Sequence, residues 1–175
     1  MDELKHFRKQ KDDFFQNSPQ SPLTKEQKDD FEGLNYFPEN DDLRFELEID
    51  EFDDQDEVRI QTNTGEVQTY TRHGDVQFEV DGKPVSLTIY ENQNGFFLPF
   101  ADALAGDETY GAGRYLDPHE LPGGKLLLDF NMAYNPYCAY NENWSCPLTP
   151  PENRVDVPIR AGEKVFDQDQ GYQHD

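Results

Sequence analysis

The sequence predicts a mainly β fold: an antiparallel β-barrel, half-open barrel or sandwich of about eight short strands, with two short N-terminal helices. Three observations predict it. Apolar and polar residues alternate with a period of two from Leu43 onward, tight-turn sequences recur between the alternating runs, and aromatic residues are plentiful, with thirteen Phe and nine Tyr. A period of two sends successive side chains to opposite faces of a strand. The hydrophobic share of 34% and mean hydropathy of −0.96 lean, taken alone, toward disorder. The aromatic content argues against it, because an ordered core recruits such residues. At 175 residues the chain is long enough for one domain with a real core.

The elements follow in order. Residues 1–16 read as an amphipathic helix with Leu4, Phe7, Phe14 and Phe15 near one stripe. "NSPQSP" ends it, since proline cannot continue a helix. Thr24 with Gln27 three residues later is a capping-box pattern, so a second short helix is expected from about Lys25, with Gly33 as its stop. Leu34, Tyr36 and Phe37 then form an apolar hook before Pro38. "LRFELEID" is the cleanest half-buried strand, with Leu43, Phe45, Leu47 and Ile49 on one face. "EVRIQTN" and "EVQTYTRHG" read as a hairpin around Gly65, and "DVQFEV" and "PVSLTIYE" as another around "DGK". "GFFLPF" is a further arm, and "KLLLDFN" and "RVDVPIR" complete the set. The expected organisation is a helical segment over residues 1–40 packed on the β domain, the β domain with its C-terminal motif loops over 41–166, and a disordered acidic tail over 167–175.

Charge narrows the setting. There are 37 acidic residues against 15 basic ones, a formal net charge of −22. Self-repulsion of that size opposes compaction at low ionic strength. It is screened at molar salt, where the Debye length falls to about 3 Å. The acids are scattered along the chain, which suits a salt-rich archaeal cytoplasm better than one cationic partner. No basic stripe suggests nucleic-acid binding, and no apolar run suggests a signal peptide or membrane span. A cytosolic protein is expected, so Cys138 and Cys146 default to thiols. With seven residues between them a disulfide is geometrically possible without being indicated. The four histidines make no zinc pattern with them. No metal and no cofactor are expected.

The densest motifs lie late in the chain: "FADALAGDETYGAGRYLD", "LDFNMAYNPYCAY" and "CPLTPPENRVDVPIRAGEK". With "SPLT", "GLNYFP" and "GEVQTYTRHG" upstream, they resemble a prokaryotic family of uncharacterised proteins, domain of unknown function 1684, in a halophilic archaeal version. The resemblance covers nearly the whole chain and implies no activity. It implies an arginine where Met132 stands and a second proline where Tyr137 stands.

Candidate chemistry concentrates in the same stretches. Arg114 offers a planar fork for a carboxylate or phosphate, between Tyr110 and Tyr115 as aromatic walls. The alternative is a Gly-rich turn whose arginine pairs with Asp107 or Asp117. Asp129 and Asn131 stand at the end of an apolar strand, where, with Tyr134 and Asn135, they could address a small polar ligand. Capping of loop amides is their bland alternative. Glu152, Asn153 and Arg154 precede the last expected strand, and Glu152 could act as general base with Asp129 as partner. Cys138 and Cys146 read as a buried structural pair, since no histidine or basic residue stands nearby in sequence. Trp144 would join their small core. The preferred reading is a non-enzymatic binder of a small polar or anionic molecule. A hydrolase using the Asp129–Glu152 pair and a purely structural or protein-interaction domain remain as alternatives.

Overall fold

The computed structural model describes residues 2–141 and 143–166; the tail expected at 167–175 lies outside them. Helices α1 (Asp2–Asn17) and α2 (Lys25–Asp29) precede nine strands: β1 (Arg44–Leu47), β2 (Asp50–Glu51), β3 (Glu57–Gln61), β4 (Val67–Val80), β5 (Lys83–Asn92), β6 (Gly95–Phe100), β7 (Arg114–Leu116), β8 (His119–Glu120) and β9 (Leu126–Asp129). They make two antiparallel sheets. One has six strands in the order β2-β4-β5-β6-β7, with β3 also on β4; the other has three in the order β1-β9-β8. Neither closes on itself, so the architecture is a half-open barrel or sandwich.

Both sheets face one core. Val76, Phe78, Leu87, Ile89 and Leu98 come from the larger sheet, Leu126 and Leu128 from the smaller, and Phe130 and Ile159 lie with them. Phe130 packs against Phe45, Phe78 and Phe100 with ring centroids 5.2–6.1 Å apart. Period-two alternation produces this directly. Val76 pairs with Leu87 and Phe78 with Val85, so inward residues oppose one another across the β4–β5 ladder.

The predicted hairpins form. Gln61 pairs with Val67 across the Gly65 turn, Val80 with Lys83, and Asn92 with Gly95. In the second, Asp81 and Gly82 both have positive φ, 52° and 80°. That is the primed turn that matches strand twist. The strands differ from expectation in four places. "LRFELEID" is divided, residues 44–47 forming β1 in the smaller sheet and Asp50 opening β2 in the larger. "EVQTYTRHG" and "DVQFEV" are one strand, β4, with a register shift between Arg72 and Gly74. A bulge lets the strand bend and continue. Gly74 is there because β2 crosses it closely: an added Cβ would sit 2.9 Å from Glu51 Cα. Strands β7 and β8 arise inside a stretch that reads as a Gly-rich connection. "RVDVPIR" is no regular strand. It runs beside residues 101–103 through an isolated parallel bridge, Ala101 to Arg154, while Val157 and Ile159 are still buried. Pro158 has no N–H to extend a ladder.

The helices also depart from the simple reading. The capping box of α2 forms as expected, with Gln27 N–H donating to Thr24 Oγ1 at 3.2 Å and Thr24 N–H to Gln27 Oε1 at 2.8 Å. The helix ends at Asp29, before Gly33. In α1, Phe15 is buried while Phe7 and Phe14 are more than a third exposed. The face turned inward is mixed. Arg8 Nη1 donates to Phe37 O, Lys11 pairs with Glu163, and Asp12 Oδ1 accepts from Leu34 N–H. No helix among the described residues is long and apolar enough to cross a membrane.

Candidate functional site

The residues singled out by sequence fall into separate networks. Arg114 enters β7 paired with Phe100 and is 1% exposed. Its Nη1 donates to Ala161 O at 2.6 Å and Glu163 O at 3.0 Å, and its Nη2 to Ile159 O at 2.9 Å. Asp102 Oδ2 lies 3.7 Å from Nη2 and balances the charge. Burial lowers the Arg114 pKa to about 10, against the opposing pull of Asp102 and Glu163. The fork expected to grip an anion is turned instead on the chain's own carbonyls. It fastens the irregular 159–163 segment to the sheet. Asp107 and Asp117, its expected turn partners, are not among these contacts.

The asparagines are similarly occupied. Asn131 clamps the main chain of Asn40, accepting from its N–H at 2.9 Å and donating to its carbonyl at 3.0 Å. Asp129 Oδ1 caps Asn131 through its N–H and Nδ2. Asn153, fully buried, accepts from Thr88 N–H and donates to Thr88 O and Pro99 O. It bridges β5 and β6 just beyond Tyr90–Phe97, the last pair of their ladder. Asn135 donates from its main chain to Glu163 Oε1 and from Nδ2 to Lys164 O. These are roles for the fold.

The proposed acid–base pair does not converge. Asp129 lies beside Asn131, with Arg44 Nε at 3.8 Å. Glu152 receives a two-pronged contact from Arg72 and the Tyr90 hydroxyl. Burial pushes the Glu152 carboxyl up, but the hydrogen bonds from Arg72 and Tyr90 outweigh it and hold the group below its ordinary value. A carboxylate held ionised in this way is a poor proton shuttle at neutral pH. Arg154 is exposed, its main chain bridged to Ala101.

One cleft does collect polar groups. It has a volume of about 640 Å³ and lies between α1, the 39–41 turn, β1 and the strands β7 to β9. Its apolar lining comes from Leu4 and Phe7 of α1, Leu116, Leu127 and Met132. Five carboxylates line it, from Glu3, Glu39, Asp41, Asp117 and Asp129, against Arg44 and His119. Tyr134 stands at its wall and donates its hydroxyl to both oxygens of Asp117, at 3.1 and 3.0 Å. Crowding by surrounding atoms raises the Asp117 pKa, opposed by that hydrogen bond. Desolvation and the Asp117 charge raise the Tyr134 pKa, keeping its proton in place as a donor. Among the described residues, no three His, Cys, Asp or Glu side chains are placed to hold a metal ion.

Of the expected ligand residues, Asp129 and Tyr134 reach this cleft, and so does Met132. Tyr110 and Tyr115 gather instead around Cys138 and Cys146, a cluster whose edge Tyr134 also touches. Glu39, Asp41 and His119 carry no ligand signal in the sequence, and Asp117 reads there only as a possible turn partner of Arg114. Each is a common surface residue, and no spacing marks them. The one available signal was α1 itself, whose exposed Phe7 turns out to line the cleft.

Comparison with known proteins adds a family. Residues 29–164 match the family described as "Protein of unknown function (DUF1684)". The chain belongs to the DUF1684 family. An uncharacterized protein of Haloarcula marismortui, solved by solution NMR, has the same fold, with 35% identity over 93% of this chain and 92% of its own and a TM-score of 0.69. No functionally curated protein matches the chain. The DUF1684 match begins after α1, so the helix that supplies Glu3, Leu4 and Phe7 to the cleft lies outside the matched span.

Proposed function

We propose that the protein binds a small molecule in the cleft beneath α1 without transforming it. The observation that carries this reading is the lining: five carboxylates and a tyrosine surround an apolar floor in a space of about 640 Å³. Small-molecule sites commonly occupy about 300–1,000 Å³ and combine an apolar body with a few polar groups. The charge selects the guest. Carboxylates outnumber Arg44 and His119, so the favoured ligand is a small organic amine with an apolar part. An anionic guest would meet only Arg44 and His119 against five carboxylates, and the donors of Arg114 are already engaged by main-chain carbonyls.

A second reading concerns the motif segments. Arg114, Asn131 and Asn153 spend their hydrogen bonds on main-chain groups. That favours motif loops that hold the fold while other residues receive the ligand. The carboxylate-pair hydrolase has no comparable support, because Asp129 and Glu152 keep different partners.

A thermal melt at constant ionic strength tests the proposal. Phenethylamine is expected to raise the melting temperature and phenylacetate to leave it unchanged. The Asp117→Asn variant and the surface double variant Glu39→Gln/Asp41→Asn should each weaken the amine shift. Binding should also weaken as pH falls through the raised Asp117 pKa. A shift with phenylacetate but not the amine, or an amine shift unchanged in both variants, would overturn the assignment.

A further inference from the structure

Cys138 and Cys146 share one buried cluster with Tyr115, edged by Tyr110, Tyr134 and Tyr137. Their contact is anchored from both sides. Cys138, in the short 3-10 turn Tyr137–Ala139, donates its main-chain N–H to Cys146 Sγ at 3.3 Å. Cys146 is held by the β3–β4 turn: its N–H donates to Asn63 Oδ1 at 2.8 Å, and its carbonyl accepts from Asn63 N–H at 3.2 Å. The Tyr110 hydroxyl lies 3.7 Å from Cys138 Sγ. A buried thiol ordinarily packs as an inert small hydrophobe. This pair differs, because the Cys146 sulfur accepts the main-chain N–H of its partner cysteine. The thiol hydrogen bond between them and burial push Cys138 up. The same hydrogen bond and the main-chain N–H groups bring Cys146 down, against the effect of burial.

We propose that Cys138 and Cys146 form a peroxide-reactive dithiol in which Cys146 is the attacking sulfur and Cys138 the resolving thiol. The Cys146 thiolate attacks one oxygen of hydrogen peroxide: an S–O bond forms and the O–O bond breaks. The departing hydroxide takes up the proton lost by Cys146 and leaves as water. The Cys138 sulfur, giving up its proton, then attacks the sulfenic sulfur. The S–S bond forms, the S–O bond breaks, and the second hydroxide leaves as water with that proton. Two thiols and one peroxide thus give one disulfide and two waters, the two electrons passing from sulfur to peroxide oxygen.

Burial sets the oxidant class. Cys138 is 3% exposed and Cys146 7%. A small peroxide needs little room beside the sulfurs, whereas a bulky disulfide would need the cluster dismantled. Closure would cross-link the 138–146 loop, which carries Trp144 against Tyr137 with ring centroids 5.1 Å apart. Trp144 is the single tryptophan of the chain, so its fluorescence reports this loop alone.

The test is to expose the full-length protein to hydrogen peroxide and follow intact mass, denatured thiol content and Trp144 fluorescence. Expected are a mass loss of about 2 Da, disappearance of both thiols, a fluorescence change at the same rate, and reversal by dithiothreitol. Cys138→Ser should accumulate a dimedone-trappable sulfenic acid at Cys146. Cys146→Ser should slow oxidation of Cys138 by about tenfold or more. Retention of both thiols in the wild-type protein, or oxygen addition at either sulfur without a disulfide, would overturn the proposal and needs no variant. Equal oxidation rates in Cys146→Ser and wild type would also overturn it.

Discussion

Arg114 shows at the residue scale how position decides chemistry. A guanidinium offers five donors in a rigid plane, which suits a ligand carboxylate or a set of backbone carbonyls equally well. Here three carbonyls and Asp102 take it. Removing one partner of a buried, hydrogen-bonded charge typically costs about 3–5 kcal/mol. Arg114→Met should therefore lower the unfolding free energy by about that amount in urea titrations, and Arg114→Lys should not rescue it, since an ammonium lacks the fork. A near-neutral Arg114→Met would mean the carbonyls find water instead. Glu152 carries a prediction about pH. Its folded pKa lies below its ordinary value of 4.5. The contact with Arg72 and Tyr90 thus contributes stability that is fully present above the unfolded pKa and lost as pH falls through the lowered one. Arg72→Ala should be less stable than wild type by a constant margin above about pH 5, narrowing below it. A margin unchanged down to pH 2 would assign the effect to packing of Arg72 on Phe52 instead.

Elements formed by local chemistry are the ones legible in sequence. The Thr24–Gln27 capping box, the Asp81–Gly82 turn and the alternation through β4 and β5 depend on neighbours within a few residues. Elements that depend on distant strands were not legible. Strand β7 exists because Arg114–Leu116 pairs with Leu98–Phe100, and nothing in "GAGRYLD" announces that partner. Gly113 has φ +104°, and an added Cβ would sit 2.7 Å from Phe100 O. The close approach is by the chain's own strand β6. Gly113→Ala combines a disfavoured backbone conformation with a main-chain clash, so a loss of about 3 kcal/mol or more is expected in denaturant unfolding. A loss below about 1 kcal/mol would show that the β6–β7 hairpin yields easily. Helix α1 misled for the same reason as β7. Its apolar stripe suggested burial, but Lys11 meets Glu163, 152 positions away, and that contact turns a polar face inward.

For the whole molecule the governing quantity is the net charge of −22. Raising potassium chloride from 0.1 M to 1 M shortens the Debye length from about 10 Å to about 3 Å, and the melting temperature should rise across that range as self-repulsion is screened. A melting temperature independent of salt would mean that the native ion pairs already offset the repulsion. Sequence by itself determined the β class, the hairpin turns, the capped second helix and the acidic character, because each follows from composition or from residues within a turn of one another. Tertiary structure alone decided that Arg114, Asn131 and Asn153 serve the fold, that Asp129 and Glu152 stand apart, and that an acidic cleft opens under α1. The reason is physical: a polar side chain takes whichever donors and acceptors the closed chain brings to it. For Arg114 those lie 45 to 49 residues away, beyond the reach of any local pattern.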